Sequence, residues 1–279
     1  MRIIAIFMCF VIFISCNVQK EIKTSNIPSS NTDKILSTEI QSLVDSSNVL
    51  GSILIYDLKD KKYYSNNFRW ANRGFLPAST FKIVNSIIGL ETGVIEDEKF
   101  VFKWDGEKKW SKKWEQDLAL RDAFQYSCVP CYQDLARNIG VKRMRSYVHK
   151  LNYGNLNIHS DNINNFWLEG DSRVTQMQQI DFLKRFYLSQ LPISEKTVQI
   201  VKYIMLIEEN TLYTLSGKTG LTKGDGVFIG WFVGFIEKND NTYFFATNLQ
   251  SKNELEFDSF VEKRMKLTLN AFKKLKIID

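Results

Sequence analysis

"PASTFK", residues 77–82, sets a serine three positions ahead of a lysine where a helix begins. Pro77 and Ala78 suit a first turn, in which a missing N–H costs nothing. The run "TFKIVNSIIGLETG" carries apolar Val84, Ile87 and Ile88 at helical spacing and stops at Gly93, a common terminator. Residues three apart on a helix have Cβ atoms roughly 5–6 Å from each other, so Lys82 faces Ser79 one turn on. A helix start also offers unpaired N–H groups and a positive dipole end to an oxyanion. The same letters would serve a capped helix with a surface lysine, and a chain this rich in Ser and Lys holds roughly one or two such spacings by chance. Ser79/Lys82 is the only instance in the sequence.

Around that stretch the hydrophobic period changes twice. "GSILIYDLKDKKYYS" (51–65) gives two β-prone runs about a charged turn. From Ser79 to about Asn210 the pattern is mostly helical, with "CYQDLARNIG" and "QMQQIDFLKRFYLSQL" as amphipathic examples. From Thr211 the period becomes two. "TLYTLSGKTG", "GVFIGWFVGFIEKND" and "TYFFATNLQ" read as successive antiparallel strands, the last two joined at Asn239-Asp240-Asn241. The middle one is apolar on both faces, as a strand covered on either side must be. A last helix spans about Phe257 to Leu275. The expected fold class is α+β: an antiparallel sheet flanked by helices, plus a mostly helical lobe over about 79–210.

Residues 1–15 read as an export signal: Arg2 is followed by the apolar run "IIAIFMCFVIFI" and then Ser15. Such a run is too short for a permanent bilayer span. Cys16 directly after a small residue resembles the lipidated cysteine of bacterial lipoproteins, although Phe13 departs from the usual aliphatic. This implies export to the periplasm and a lipid anchor in the outer membrane. Residues 16–36, polar and without aromatics, read as a flexible tether, leaving 37–279 as the folded domain.

The formal charge is +6, but basic and acidic residues alternate, as in "EKKWSKKWEQD", so no nucleic-acid partner is expected. Beyond Cys9 and Cys16 only Cys128 and Cys131 remain, as "CVPC". With two histidines in the chain, His149 and His159, they form no metal-ligand set. Two small buried side chains are the favoured reading, ahead of a disulfide. No G-x-S-x-G elbow supports a Ser-His-Asp hydrolase.

Three clusters follow Ser79/Lys82 in order: "SCVP" from Ser127, "YGN" from Tyr153 and "KTG" from Lys218. The set resembles the penicillin-recognising serine enzymes, whose S-x-x-K and K-T-G motifs are diagnostic together. Serine, any residue, then Val129, with Y-G-N downstream, is similar to class D, the oxacillinases. "WLEG" (167–170) and "IGWFVGF" (229–235) resemble the tryptophan loop and the strand after K-T-G of that class. The resemblance covers about residues 38–279.

It implies a β-lactamase/transpeptidase-like fold and hydrolysis of the β-lactam amide, conferring antibiotic resistance. Ser79 would be the nucleophile. Lys82, with an ordinary pKa near 10.4, must lose its proton to act as base. Burial among Phe81, Val129, Trp167 and Leu168 would lower that pKa by up to roughly 3–5. The neutral amine then takes up carbon dioxide or bicarbonate to give N6-carboxylysine, held by the Trp167 indole N–H. No other cofactor and no metal is implied.

Ser127 would pass a proton to the leaving nitrogen, with Lys218 beside it. Thr219 and Arg264 would bind the substrate carboxylate, and Leu221, after Gly220, would add an oxyanion N–H to that of Ser79. Tyr153 to Asn155 read as a brace, and Glu169 is not assigned to catalysis. The chain is expected as a monomer or a homodimer, since relatives include dimers. The alternatives are a cell-wall D,D-peptidase (a penicillin-binding protein), which would hold the acyl group, and a β-lactam-sensing domain.

Overall fold

The period-two runs after residue 211 form the middle of one sheet. The computed structural model describes residues 33–224, 226–252 and 257–278. The export segment, Cys16 and most of the tether therefore lie outside the described residues. In chain order the elements are β1 (Asp33–Leu36), α1 (Thr38–Asp45), β2 (Val49–Asp57), β3 (Lys62–Ser65) and α2 (Phe68–Ala71). A 3-10 turn (Ala78–Thr80) leads into α3 (Phe81–Glu91), followed by β4 (Val101–Phe102), β5 (Leu118–Ala119) and α4 (Leu120–Gln125). Then come α5 (Val129–Ile139), α6 (Val141–Leu151), α7 (Gln176–Tyr187) and α8 (Glu195–Met205). The chain closes with β6 (Leu206–Glu209), β7 (Thr214–Gly224), β8 (Val227–Lys238), β9 (Asn241–Ser251) and α9 (Phe257–Lys274).

Seven strands order as β1-β3-β2-β9-β8-β7-β6, antiparallel except for the parallel β1–β3 pair. Strand β8 explains why both faces need helices. Trp231, Val233 and Phe235 enter one core, while the alternate residues Phe232 and Ile236 enter the other. The second core joins Ile40 and Val44 of α1 to Phe260 and Phe272 of α9. The first receives the helical lobe. Each such side chain stabilises the fold by about 1.5–3 kcal/mol when fully buried, so strand pattern and helix faces fix the layering together.

Two expectations need correction. The tether does not run to residue 36, because Asp33–Leu36 pairs with Lys62–Ser65 as β1. All four residues are exposed, so no buried face marked the strand. Within the stretch read as helical, β6 is an edge strand and β4–β5 a small hairpin-like pair. Backbone pairing, not side-chain pattern, makes these short strands.

Helix α3 is buried on every side, from Phe81 through Gly89. A helix covered all round belongs to the middle of a structure. That placement takes Lys82 out of water.

Candidate active site

The Ser79 turn is held against β7 by a missing side chain. A Cβ on Gly220 would lie 3.2 Å from Thr80 Cγ2, 3.2 Å from Trp231 Cβ and 3.3 Å from Ala78 Cβ. A Cβ there would crowd all three atoms, so the bare glycine favours this close approach of turn and strand. From the opposite side, the Ala78 N–H donates to the Trp167 carbonyl at 2.8 Å. Ala78 itself adopts φ 50, a left-handed conformation unusual for a residue with a Cβ. The serine is thus presented by a turn clamped on two sides.

Lys82 Nζ donates to Ser79 Oγ at 3.0 Å. The lysine is 1% exposed. Its ammonium lies 5.0 Å from the centre of the Tyr132 ring, and no carboxylate pairs with it among the described residues. Burial alone pulls its pKa down to about 7, because a charged amine loses its hydration there. At neutral pH a large share of this lysine is a free amine.

Trp167 stacks on Phe81 with ring centres 5.8 Å apart, and both are fully buried. The Trp167 indole nitrogen is buried with no hydrogen-bond partner among the described residues. Buried donors are nearly always paired, so an orphan calls for an acceptor. A carboxylated lysine is an acceptor of the kind this donor lacks, and its formation needs a deprotonated amine. Leu168 anchors the same loop, its carbonyl accepting from the Thr222 hydroxyl of β7.

Ser127 and Val129 lie at the entrance of α5, as expected. Lys218 Nζ donates to Ser127 Oγ at 3.0 Å and to the Thr219 carbonyl at 3.1 Å. Burial first, then the charges of Lys82 and Arg264, holds the Lys218 ammonium well below the ordinary lysine range. An arriving anion would raise it again.

Arg264 is 6% exposed and reaches the site from α9. Its Nε donates to the Val261 carbonyl at 2.8 Å and its Nη1 to the Gly220 carbonyl at 2.5 Å. A Cβ on Gly230 would stand 2.7 Å from Arg264 Cδ, so the strand is bare where the arginine crosses it. Burial lowers its pKa to about 10. No carboxylate of the described residues pairs with it.

One cavity of about 490 Å³ brings Ser79, Ser127, Val129, Thr219, Gly220, Leu221 and Arg264 together. Lys82, Lys218, Phe81 and Trp167 are buried and do not line it, and Leu168 is also absent from its wall. The rest of its wall is mostly aromatic, with Trp110, Trp114, Tyr126, Phe228 and Phe257 beside Thr222 and Lys223. Sequence reasoning missed these residues; the interleaving of tryptophan with lysine in "EKKWSKKW" was the available signal.

It also missed a buried relay behind the serine. Tyr153 Oη donates to Gln179 Oε1 at 3.2 Å, and Gln179 Nε2 donates to Thr80 Oγ1 at 2.8 Å. Thr80 Oγ1 in turn donates to the Pro77 carbonyl at 2.6 Å. Tyr153 therefore braces the turn, while Asn155 pairs with Arg173 across an isolated bridge. Glu169 is exposed and bonded to Asn165, and it does not line the cavity.

Cys128 and Cys131 correct the sequence reading: they are joined in a disulfide. Cys128 caps α5 and Cys131 lies in its first turn, which leaves their Cα atoms 5.5 Å apart. That separation suits a bridge.

The chain matches the penicillin-binding protein transpeptidase domain over residues 28–269. It is 41% identical to the OXA-48 β-lactamase of Klebsiella pneumoniae over 228 residues, 82% of this chain and 84% of that protein. It is 44% identical to the OXA-10 β-lactamase of Pseudomonas aeruginosa over 210 residues, covering 74% and 78%. Its fold superposes on a crystal structure of a class D β-lactamase from Sebaldella termitidis with a TM-score of 0.85 and 38% identity, covering 89% of this chain and 100% of that one.

Proposed function

Because the chain belongs to the class D β-lactamase family, we propose that it hydrolyses the β-lactam amide of penicillin-type antibiotics through an acyl-enzyme on Ser79, conferring resistance to them. The observation that carries this reading is the 3.0 Å contact between Ser79 Oγ and a lysine that burial has brought to a pKa of about 7.

The substrate carboxylate would meet Arg264 and the Thr219 hydroxyl, since the buried guanidinium has no anionic partner among the described residues. Planar donors grip both oxygens of such a group. Ser79 then attacks the ring carbonyl and its proton passes toward Lys82 Nζ. The N–H groups of Ser79 and Leu221 would face the oxygen as it gains charge, where one donor is typically worth about 10²–10³ in turnover. Ser127, held by Lys218, gives a proton to the ring nitrogen as the amide bond breaks.

Carbon dioxide taken up by Lys82 would supply a carboxylate-type base, with the unpartnered Trp167 N–H as its candidate donor. Lys82 must be neutral for that uptake. Its neutral fraction grows above pH 7 and shrinks below it, so turnover is expected to fall on acidification through pH 7 and to recover with added bicarbonate. Steady-state rates on a penicillin at pH 6 and 8, with and without bicarbonate in degassed buffer, test this. Rates that ignore bicarbonate at both pH values would reject the carboxylated base. A stable penicilloyl adduct without product release would instead favour the D,D-peptidase or sensing-domain reading.

The pattern of residues 1–16 supports export and a lipid on Cys16 that tethers the domain to the outer membrane on its periplasmic side. Fractionated cells should show the parent in the membrane pellet and Cys16→Ser in the soluble periplasmic extract. Equal distribution of the two would remove the anchor.

A further inference from the structure

The two residues that flank Cys128 in the chain, Ser127 and Val129, both line the substrate cavity. We propose that the Cys128–Cys131 bridge is a positioning element of this site, and that its reduction lowers turnover reversibly. The proposal rests on the function given above for Ser127 and Val129.

Ser127 has φ 55, a left-handed conformation that residues with a Cβ adopt rarely. Two backbone bonds shape the turn, Ser127 N–H to Phe124 O at 3.1 Å and Cys128 N–H to Ala123 O at 2.9 Å. The chain then enters α5 with Cys128 as the cap, and the only side-chain cap bond runs from the Cys131 N–H to Cys128 Sγ at 3.3 Å. Sulfur is a weak acceptor, and cysteine is not among the residues that cap helices well. The covalent link therefore fixes the entry angle of α5. Opened, it would leave Ser127 Oγ free to shift against Lys218, and α5 free to shift its Tyr132 ring, 5.0 Å from Lys82 Nζ, against that amine. Displacements near 1 Å at reacting groups cost up to about 10²-fold in rate.

The bridge is approachable without entering the substrate cavity. Both cysteines line a second cavity of about 440 Å³, bounded by Phe102, Trp104, Asp134 and Arg137. Cys128 is 1% exposed whereas Cys131 is half-buried, so Cys131 Sγ is the sulfur open to attack. A thiolate of a dithiol reductant bonds to Cys131 Sγ as the Cys128–Cys131 bond breaks and Cys128 leaves as thiolate. The second thiol of the reagent then closes its own disulfide and releases Cys131. Two electrons pass to the protein, the reagent is oxidised, and its two protons end on the cysteines.

The test uses the purified full chain, oxidised and then treated with dithiothreitol under native conditions. Alkylation and peptide mapping report the state of residues 128 and 131. The expected result is a fall in kcat on the order of 10-fold, with a several-fold rise in the bicarbonate concentration that gives half-maximal activity. Both should be restored on reoxidation, and a Cys128→Ala/Cys131→Ala variant should behave as the reduced protein whether or not reductant is added. A merely structural bridge would lower Tm and leave the bicarbonate requirement unmoved. Labelled cysteines with unchanged kcat, KM and bicarbonate response would overturn the proposal, as would free thiols in the oxidised protein or a bridge that native reductant never opens. An oxidised protein that turns over no β-lactam would remove the underlying function and the proposal with it.

Discussion

Lys82→Met is expected to lose roughly 10²–10⁴-fold in kcat/KM on penicillins, the usual contribution of a positioned base, and yet to melt above the parent at pH 6. Methionine has a similar length and no charge to desolvate. The parent carries an amine whose pKa has moved from 10.5 to about 7 on folding. With each pKa step worth about 1.4 kcal/mol, the pH-dependent part of that burden is on the order of 5 kcal/mol.

The sign follows from proton counts. Between pH 7 and 10.5 the unfolded lysine holds a proton that the folded one lacks, so the parent gains stability as pH rises through this window. Below pH 7 both states are protonated and the full cost of the buried charge remains. The advantage of methionine should therefore be largest below pH 7 and shrink toward pH 10. Melting curves at pH 6 and 9 in degassed buffer measure it. Bicarbonate should raise the Tm of the parent and not that of the variant, because only a folded lysine niche can bind the added group. A variant that melts lower at every pH would show that the amine is not a buried burden.

Arg264→Met is expected to raise KM for penicillins by on the order of 10–100-fold while kcat changes a few-fold at most. A hydrogen bond to a charged group is worth about 1.5–3 kcal/mol. The carboxylate is distant from the bond that breaks and is held alike in ground and transition states, so losing its partner removes uniform binding. Stability should move little, since removing a buried charge offsets the lost bonds to the Gly220 and Val261 carbonyls. A penicillin methyl ester supplies the control, because it lacks the anion. An equal KM rise on acid and ester would assign Arg264 to packing.

The candidate site residues were legible where the pattern is local. Ser79 and Lys82 sit one turn apart, and one helical rise brings their atoms to 3.0 Å. Lys218 lies in a long alternating strand, and its motif marked it before any contact was known. Arg264 was assigned to the substrate carboxylate through the family resemblance. Less could be read where contact depends on distant elements. Gln179 and Thr80 are far apart in sequence, and neither carries a motif that announces their bond. The bridge between Cys128 and Cys131 depends on where α5 begins, and a shift of that start would separate the sulfurs. Strand β1 has no buried face, so its four residues resembled tether.

The sequence alone marked the long helices and the central strands, the two-sided burial of β8 and the candidate reacting side chains, because periodicity and motif spacing are properties of neighbouring residues. Tertiary structure decided that Lys82 is dry and that, among the described residues, the Trp167 N–H lacks a partner and Arg264 meets no carboxylate. These are matters of solvent exclusion and charge pairing, which exist only once segments from the whole chain enclose one volume.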